Sequence, residues 1–155
     1  MKKPQTHRNC KILFVDDSHT EINYLKLLFQ ITKLPAEPTF INSAHEALEI
    51  LETYDASQYP DFILVDINMP LMDGFEFAEI YVDTFLTKYP QTKLFIYSTS
   101  IHSADIQRVK SIKGVTGFIS KPFDEDTFEN KILSHFKENI INTNSSPPGK
   151  KVLSS

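Results

Sequence analysis

The chain has 155 residues, 41% hydrophobic and 23% charged, with a net charge of −4. This is length for one domain with a substantial core and an ordinary globular composition, and the acidic balance gives no support for nucleic-acid binding. The single cysteine, Cys10, excludes an internal disulfide framework, suits a reducing compartment and reads as an ordinary thiol beside the first strand. After Met1-Lys2-Lys3 the first apolar run is only Ile12 to Val15 and then meets two acids, so no signal peptide is expected, and no stretch reaches transmembrane length. A cytoplasmic protein is expected, in which the Asn144-Ser145-Ser146 sequon has no use.

Taken in order, residues 1–9 read as a polar tail, residues 10–140 as the folded domain and residues 141–155 as a disordered tail too poor in apolar side chains to pack. Lys11 to Asp16 is the first strand. Ser18 with Glu21 predicts a capping box and a helix with Ile22, Leu25, Leu28 and Phe29 inward, ending before Pro35. Pro38 to Asn42 is a short second strand. Ser43 with Glu46 predicts another capping box, with Ala47, Leu48 and Leu51 inward. Tyr59-Pro60-Asp61 turns into the third strand, Phe62 to Asp66. A third helix starts at Asp73-Gly74 and is expected to reach Tyr89, longer than usual and apolar on more than one side. Lys93 to Tyr97 is the fourth strand, and a fourth helix covers Ser103 to Ile112 with Ile106 and Val109 inward. Phe118 to Ser120 is the fifth strand, and the last helix runs from Glu125 to Asn139 with Phe128, Ile132 and Phe136 spaced four apart. Alternation of strand and helix predicts an α/β doubly wound parallel sheet with right-handed crossovers.

Carboxylates mark the strand ends. Phe62-Ile63-Leu64-Val65 stops at Asp66, and Ile12-Leu13-Phe14-Val15 stops at Asp16-Asp17. Ligands bind at the carboxyl ends of the strands in such sheets. Nucleotide and flavin folds place a Gly- or Ser/Thr-rich loop after the first strand to receive phosphate, whereas two acids repel a bare phosphate and suit a hard divalent cation. At roughly 5 Å and an effective dielectric near 20, each carboxylate pair costs about 3 kcal/mol. A bound Mg²⁺ relieves that repulsion. Ser98 and Lys121 end the fourth and fifth strands and face the same crevice. A carboxylate nucleophile, a metal, an ammonium and a hydroxyl form a phosphoryl-accepting set.

With these residues in place the sequence resembles the receiver domain of two-component response regulators. The motifs are Val15-Asp16-Asp17-Ser18, Val65-Asp66-Ile67-Asn68-Met69-Pro70, Met72-Asp73-Gly74, Ser98-Thr99-Ser100 and Lys121-Pro122-Phe123, spread over about residues 10 to 139. The resemblance implies the five-stranded (βα)5 flavodoxin-like fold with strand order 2-1-3-4-5. It implies that Asp66 accepts a phosphoryl group from the phosphohistidine of a sensor histidine kinase or histidine phosphotransfer protein. Asp17 and Asp66 would ligate Mg²⁺ directly, Asp16 largely through water, and Asn68 through its main-chain carbonyl. Lys121 would contact the phosphoryl group, with the Lys121-Pro122 bond expected to be cis. Ser98 would be the switch hydroxyl and Phe118 the switch aromatic; a permanently buried Phe118 is the plainer alternative. Ser98 replaces the commoner Thr, Thr99 stands where a smaller residue is usual and narrows access, and Asn68, Ser100 and Pro122 flank the site.

The expected function is that of a stand-alone, single-domain response regulator, a signalling domain rather than an enzyme beyond self-catalysed phosphorylation and dephosphorylation. About sixteen residues follow the domain, too few for an output domain, so output is expected through a downstream protein at the face of helix four, strand five and helix five, or through a phosphorelay. No nucleic-acid or membrane partner is expected. The chain as a fragment of a longer regulator stays open. An unphosphorylated receiver-like scaffold would need none of the acids, hydroxyl or lysine. A haloacid-dehalogenase-type phosphatase would need an acid two residues after the nucleophile, where Asn68 stands.

Overall fold

The computed structural model describes residues 8–99 and 102–136. They fall into two compact units, one ending at Phe123 and one beginning at Asp124. The first unit holds the sheet. Its strands are β1 (Cys10–Val15), β2 (Ala36–Ile41), β3 (Phe62–Asp66), β4 (Lys93–Ser98) and β5 (Gly117–Ser120), and its helices are α1 (His19–Thr32), α2 (Ala44–Thr53), α3 (Gly74–Phe85) and α4 (Ser103–Ser111). The strands are all parallel, in the order β2-β1-β3-β4-β5.

Strand composition follows position in the sheet. The central β3 is buried at every residue, as a parallel strand covered on both faces must be. The edge strand β2 alternates between half-buried and exposed positions for most of its length, and it carries Pro38, whose missing N–H is tolerated at an edge. β2 spans Ala36 to Ile41 rather than Pro38 to Asn42, because pairing with β1 begins at Cys10 opposite Ala36. Alternate residues serve opposite faces. Leu13, Val15, Ile63, Val65, Leu94 and Ile96 join one core with side chains of α2, α3 and α4. On the other face Phe14 meets Phe29 of α1, Phe40, Tyr97 and Phe123 in ring contacts 5.5–6.1 Å between centroids.

The helix starts are set by side-chain caps. Ser18, Ser43 and Asp73 each accept the backbone N–H three residues on. Asp73 and Glu76 close a full capping box, but Glu21, expected to do the same for α1, sends its carboxylate to the Tyr97 hydroxyl. α1 ends at Lys33 in the left-handed region, φ 55°, and its inward face is Ile22, Leu25 and Phe29, with Leu28 only half-buried.

The end of α3 and the inward face of α4 differ from expectation. α3 stops at Phe85 instead of Tyr89: Lys88 and Tyr89 both donate to the Phe85 carbonyl in a turn. Pro90 disfavours helical backbone at Tyr89, whose ring stacks on Tyr59 at 3.5 Å. Burial explains most of the many-sided apolarity of α3, since Phe75, Phe77, Ala78, Tyr81 and Phe85 are all buried while Ile80 is exposed. In α4, Val109 is buried but Ile106 is 42% exposed. Arg108 of the same helix lays its guanidinium over Phe75 at 4.5 Å.

The second unit opens with Asp124 as N-cap, accepting from the N–H and hydroxyl of Thr127. α5 (Glu125–Thr127) passes directly into a π-helical segment, Phe128–Leu133. Phe128 and Ile132 within it, and Phe136 beyond it, are buried. A spacing of four suits α- and π-turns alike, so the sequence alone reads as one α-helix; the expected end at Asn139, like the 141–155 tail and residues 1–7 of the N-terminal tail, lies outside the described residues.

Gly74 fixes how closely α3 approaches β3. A Cβ at this position would sit 2.3 Å from the Asp66 carbonyl oxygen and 3.0 Å from Ile67 Cα, both backbone, while the Gly74 N–H donates to the Ile67 carbonyl at 2.9 Å. Gly74→Ala should therefore destabilise the fold by about 1–3 kcal/mol, read from urea denaturation midpoints; an unchanged midpoint would contradict the close approach.

Candidate phosphoryl-accepting site

The parallel register levels the strand ends. Val15 pairs with Val65, Asp66 with Tyr97, and Ser98 with Ser120. Asp16 and Asp17 follow β1, Asp66 closes β3, Ser98 closes β4 and Lys121 follows β5, so these side chains belong to one edge. Asp16, Asp17 and Asp66 each offer a carboxylate oxygen within 4.8 Å of the others. Asp16 is fully buried and Asp66 is 7% exposed.

Lys121 holds the cluster together. Its Nζ lies 2.7 Å from Asp16 Oδ2 and 3.2 Å from Asp66 Oδ1. The Lys121 backbone N–H donates to the Ser98 carbonyl at 2.8 Å, and the Lys121-Pro122 bond is cis, as expected. The other Asp16 oxygen accepts the Ser18 N–H at 2.9 Å, so both its oxygens are engaged. Asp17 is half-buried and makes no ion pair among the described residues.

One ammonium among three carboxylates leaves the site short of positive charge. Burial pushes the Asp66 carboxyl up to about 6; Lys121 opposes this, and the charges of Asp16 and Asp17 add to it. Burial alone would lower Lys121, but its hydrogen bond to Asp16 and the charges of Asp16 and Asp66 outweigh it and hold the ammonium above its ordinary value. Three oxygen donors with no nitrogen or sulfur, and an unbalanced negative charge, fit a hard divalent cation such as Mg²⁺. Asp16, Asp17 and Asp66 could hold it, with the Asn68 carbonyl as a further candidate.

The other expected site residues are placed as follows. Ser98 is buried at the end of β4, Thr99 beside it is exposed, and Asn68 and Pro122 are exposed. Phe118 is half-buried on β5, opposite Ile96. Ser100 lies outside the described residues.

Sequence reasoning missed Tyr97 and Glu21 as neighbours of the site. Tyr97 is fully buried, its ring lies 5.0 Å from Lys121 Nζ, and its hydroxyl donates to Glu21. Burial, reinforced by that hydrogen bond, pushes the phenol well above its ordinary value, so it stays protonated. The available signal was a tyrosine in an otherwise apolar strand, since a buried phenol usually finds a hydrogen-bond partner. Leu71 was also missed. It has φ 71° and is 93% exposed, in a tight turn closed by Met72 N–H on the Pro70 carbonyl at 2.7 Å.

Comparison with known proteins agrees with this geometry. The family model of the response regulator receiver domain matches residues 12–133. The chain is 30% identical over 118 residues to the chemotaxis protein CheY of Listeria monocytogenes, covering 75% of this chain and 89% of that protein. It is 31% identical over 115 residues to the sensor histidine kinase CheAY of Helicobacter pylori, covering 72% of this chain but 13% of the kinase. Among solved structures it is similar to the chemotaxis protein CheY4 of Vibrio cholerae, with a TM-score of 0.64, 26% identity and coverage of 81% of this chain and 98% of that one. A two-component response regulator from Cytophaga hutchinsonii shares the fold with a TM-score of 0.74 at 21% identity, over 84% of this chain and 99% of that one. Among the described residues no helix is long and apolar enough to cross a membrane.

The raised Asp66 carboxyl has a consequence for stability. Its value in the folded chain lies above that of an unfolded aspartate, so the folded state binds the extra proton and the stability from the neutral form is full below about pH 4. That stability is lost as pH rises through about 6. Asp66→Asn should thus stabilise the metal-free protein at pH 7–8 by on the order of 2–3 kcal/mol, with the gain shrinking toward pH 4. Paired denaturation curves at the two pH values check this; a constant difference, or a destabilised variant, would contradict it.

Proposed function

Since this chain belongs to the response regulator receiver domain family, we propose that Asp66 is its phospho-acceptor and that the donor is a phosphohistidine on a sensor histidine kinase or histidine phosphotransfer protein. The observation that carries this is Asp66 at the end of β3, with Lys121 Nζ at 3.2 Å and two further carboxylates close by.

The step is a displacement at phosphorus. An Asp66 carboxylate oxygen forms the new O–P bond as the N–P bond of the donor breaks, and the imidazole leaves with that electron pair and is then protonated. Asp66 must be ionised to attack, and a value of about 6 leaves it mostly so at neutral pH. Lys121 is charged and placed to pair with an incoming phosphoryl oxygen. Asp16 keeps Lys121 at that edge of the crevice. Asp16, Asp17, Asp66 and the Asn68 carbonyl would hold Mg²⁺, which when bound supplies neutralisation of charge on the phosphoryl oxygens. Thr99, exposed beside Ser98, narrows the approach, and Pro122 flanks it.

Phosphorylation adds charge and acceptor oxygens at Asp66. Ser98 would turn its hydroxyl toward them, and Phe118, half-buried on β5, would take up the space left. This shifts a two-state equilibrium and changes the surface offered to a downstream protein, or the phosphoryl group passes onward in a relay. We place this signalling in the cytoplasm.

Intact-protein mass after treatment with acetyl phosphate or phosphoramidate, with and without Mg²⁺, tests the reading. One phosphoryl adduct that needs Mg²⁺ and is lost in Asp66→Asn is expected; an adduct that persists in Asp66→Asn moves the acceptor elsewhere. No adduct despite measurable Mg²⁺ binding would favour an unphosphorylated scaffold. Lys121→Ala should label more slowly and lose the spectral change that accompanies labelling; a normal spectral change would contradict the role of Lys121.

A further inference from the structure

Lys121 reaches the acids on a flexible four-carbon stem, and two carboxylates compete for its ammonium. Asp16 holds it at 2.7 Å and Asp66 at 3.2 Å. Two contacts alone do not fix a position. The third is the face of Tyr97, whose ring centroid lies 5.0 Å from Nζ, within the range at which an aromatic face attracts a cation. The ring is itself immobile: it is fully buried and packed edge-on against Phe14 and Phe123.

The hydroxyl gives the second, independent observation. A phenylalanine would fill this wall with no polar atom to satisfy. Here the phenol donates to Glu21, which leaves the helix cap its position would allow it to complete. Donation to a carboxylate is a charge-assisted bond; it draws the proton away from the phenol oxygen and leaves more electron density in the ring that faces Lys121. α1 holds the same assembly a second time, since the Tyr24 hydroxyl, one turn after Glu21, donates to the Phe123 carbonyl at 2.6 Å, two residues beyond Lys121.

We propose that Tyr97 is a positioning residue for phosphoryl transfer to Asp66, holding the Lys121 ammonium where it serves Asp66 as well as Asp16, with Glu21 of α1 fixing and polarising the ring. This rests on Asp66 being the phospho-acceptor. It makes α1 part of the mechanism: whatever tilts its first turn loosens the tether on Tyr97 and lets the ammonium settle on Asp16.

Labelling rates with phosphoramidate and Mg²⁺ test it, in the wild-type chain, Tyr97→Phe, Tyr97→Leu and Glu21→Ala, each also combined with Lys121→Met. Tyr97→Leu should label about tenfold more slowly, equivalent to about 1.4 kcal/mol, and Tyr97→Phe, which keeps the ring, only about two- to threefold. In the Lys121→Met background these losses should vanish, because a residue acting through Lys121 has nothing left to position. A Tyr97→Leu rate equal to wild type, or an equal loss with Lys121→Met, overturns the inference. Should near-ultraviolet circular dichroism show Tyr97→Leu misfolded, Tyr97→Phe and Glu21→Ala decide: loss in both, only when Lys121 is present, is the expected result, and no loss in either overturns it. A wild-type chain that does not label at all overturns the phospho-acceptor reading as well, so the two failures are distinguishable.

Discussion

One ammonium shared between two buried carboxylates is the constraint on which the candidate site depends. Lys121 bridges Asp16 and Asp66, and without it three carboxylates whose oxygens approach within 4.8 Å would face one another uncompensated. The bridge spans four neighbouring strands of the sheet, since β1 flanks β3 on one side and β4 stands between β3 and β5 on the other. The lysine at the end of the outer strand is held in line with β4 by its N–H on the Ser98 carbonyl, and its long side chain covers the remaining distance to the centre. Electrostatics and chain path therefore solve the same problem together.

The two faces of the sheet divide the labour. The face built on Leu13, Val15, Ile63 and Val65 is aliphatic at the strands and aromatic at α3. The opposite face is an aromatic cluster centred on Phe14, and it continues through Tyr97 to the ammonium of Lys121. Packing on that second face thus merges without a break into the polar edge. A change there, even one that leaves every carboxylate in place, reaches the charge cluster through Tyr97.

Most of the architecture was legible in the amino-acid order. Apolar runs ending in acids marked β1 and β3, and the cap residues Ser18, Ser43 and Asp73 located three helix starts. Such signals are local: they depend on burial and on backbone N–H groups that need partners. What stayed hidden depended on tertiary choices. Glu21 has two possible partners, and only the folded chain shows that it takes Tyr97 instead of its own helix cap. Tyr89 leaves α3 ahead of Pro90 and stacks on Tyr59, a ring distant in sequence. Ile106 follows the helical period but stays 42% exposed. The π-helical turns after Thr127 share their side-chain spacing with an α-helix, so periodicity could not separate the two.

The level register of the strands also acts as a proofreading device for assembly. Side chains on a strand alternate between faces, so sliding β3 by one residue against β1, out of the pairing of Val15 with Val65, would drive Asp66 toward a face packed with hydrocarbon and turn its aliphatic neighbours onto the opposite face. Such a misfold would bury an unpartnered charge, far more expensive than a poorly packed valine. The acids at the strand ends thus penalise one-residue slips of the sheet that carries them. They cost stability in the native state, yet they narrow the set of competing structures.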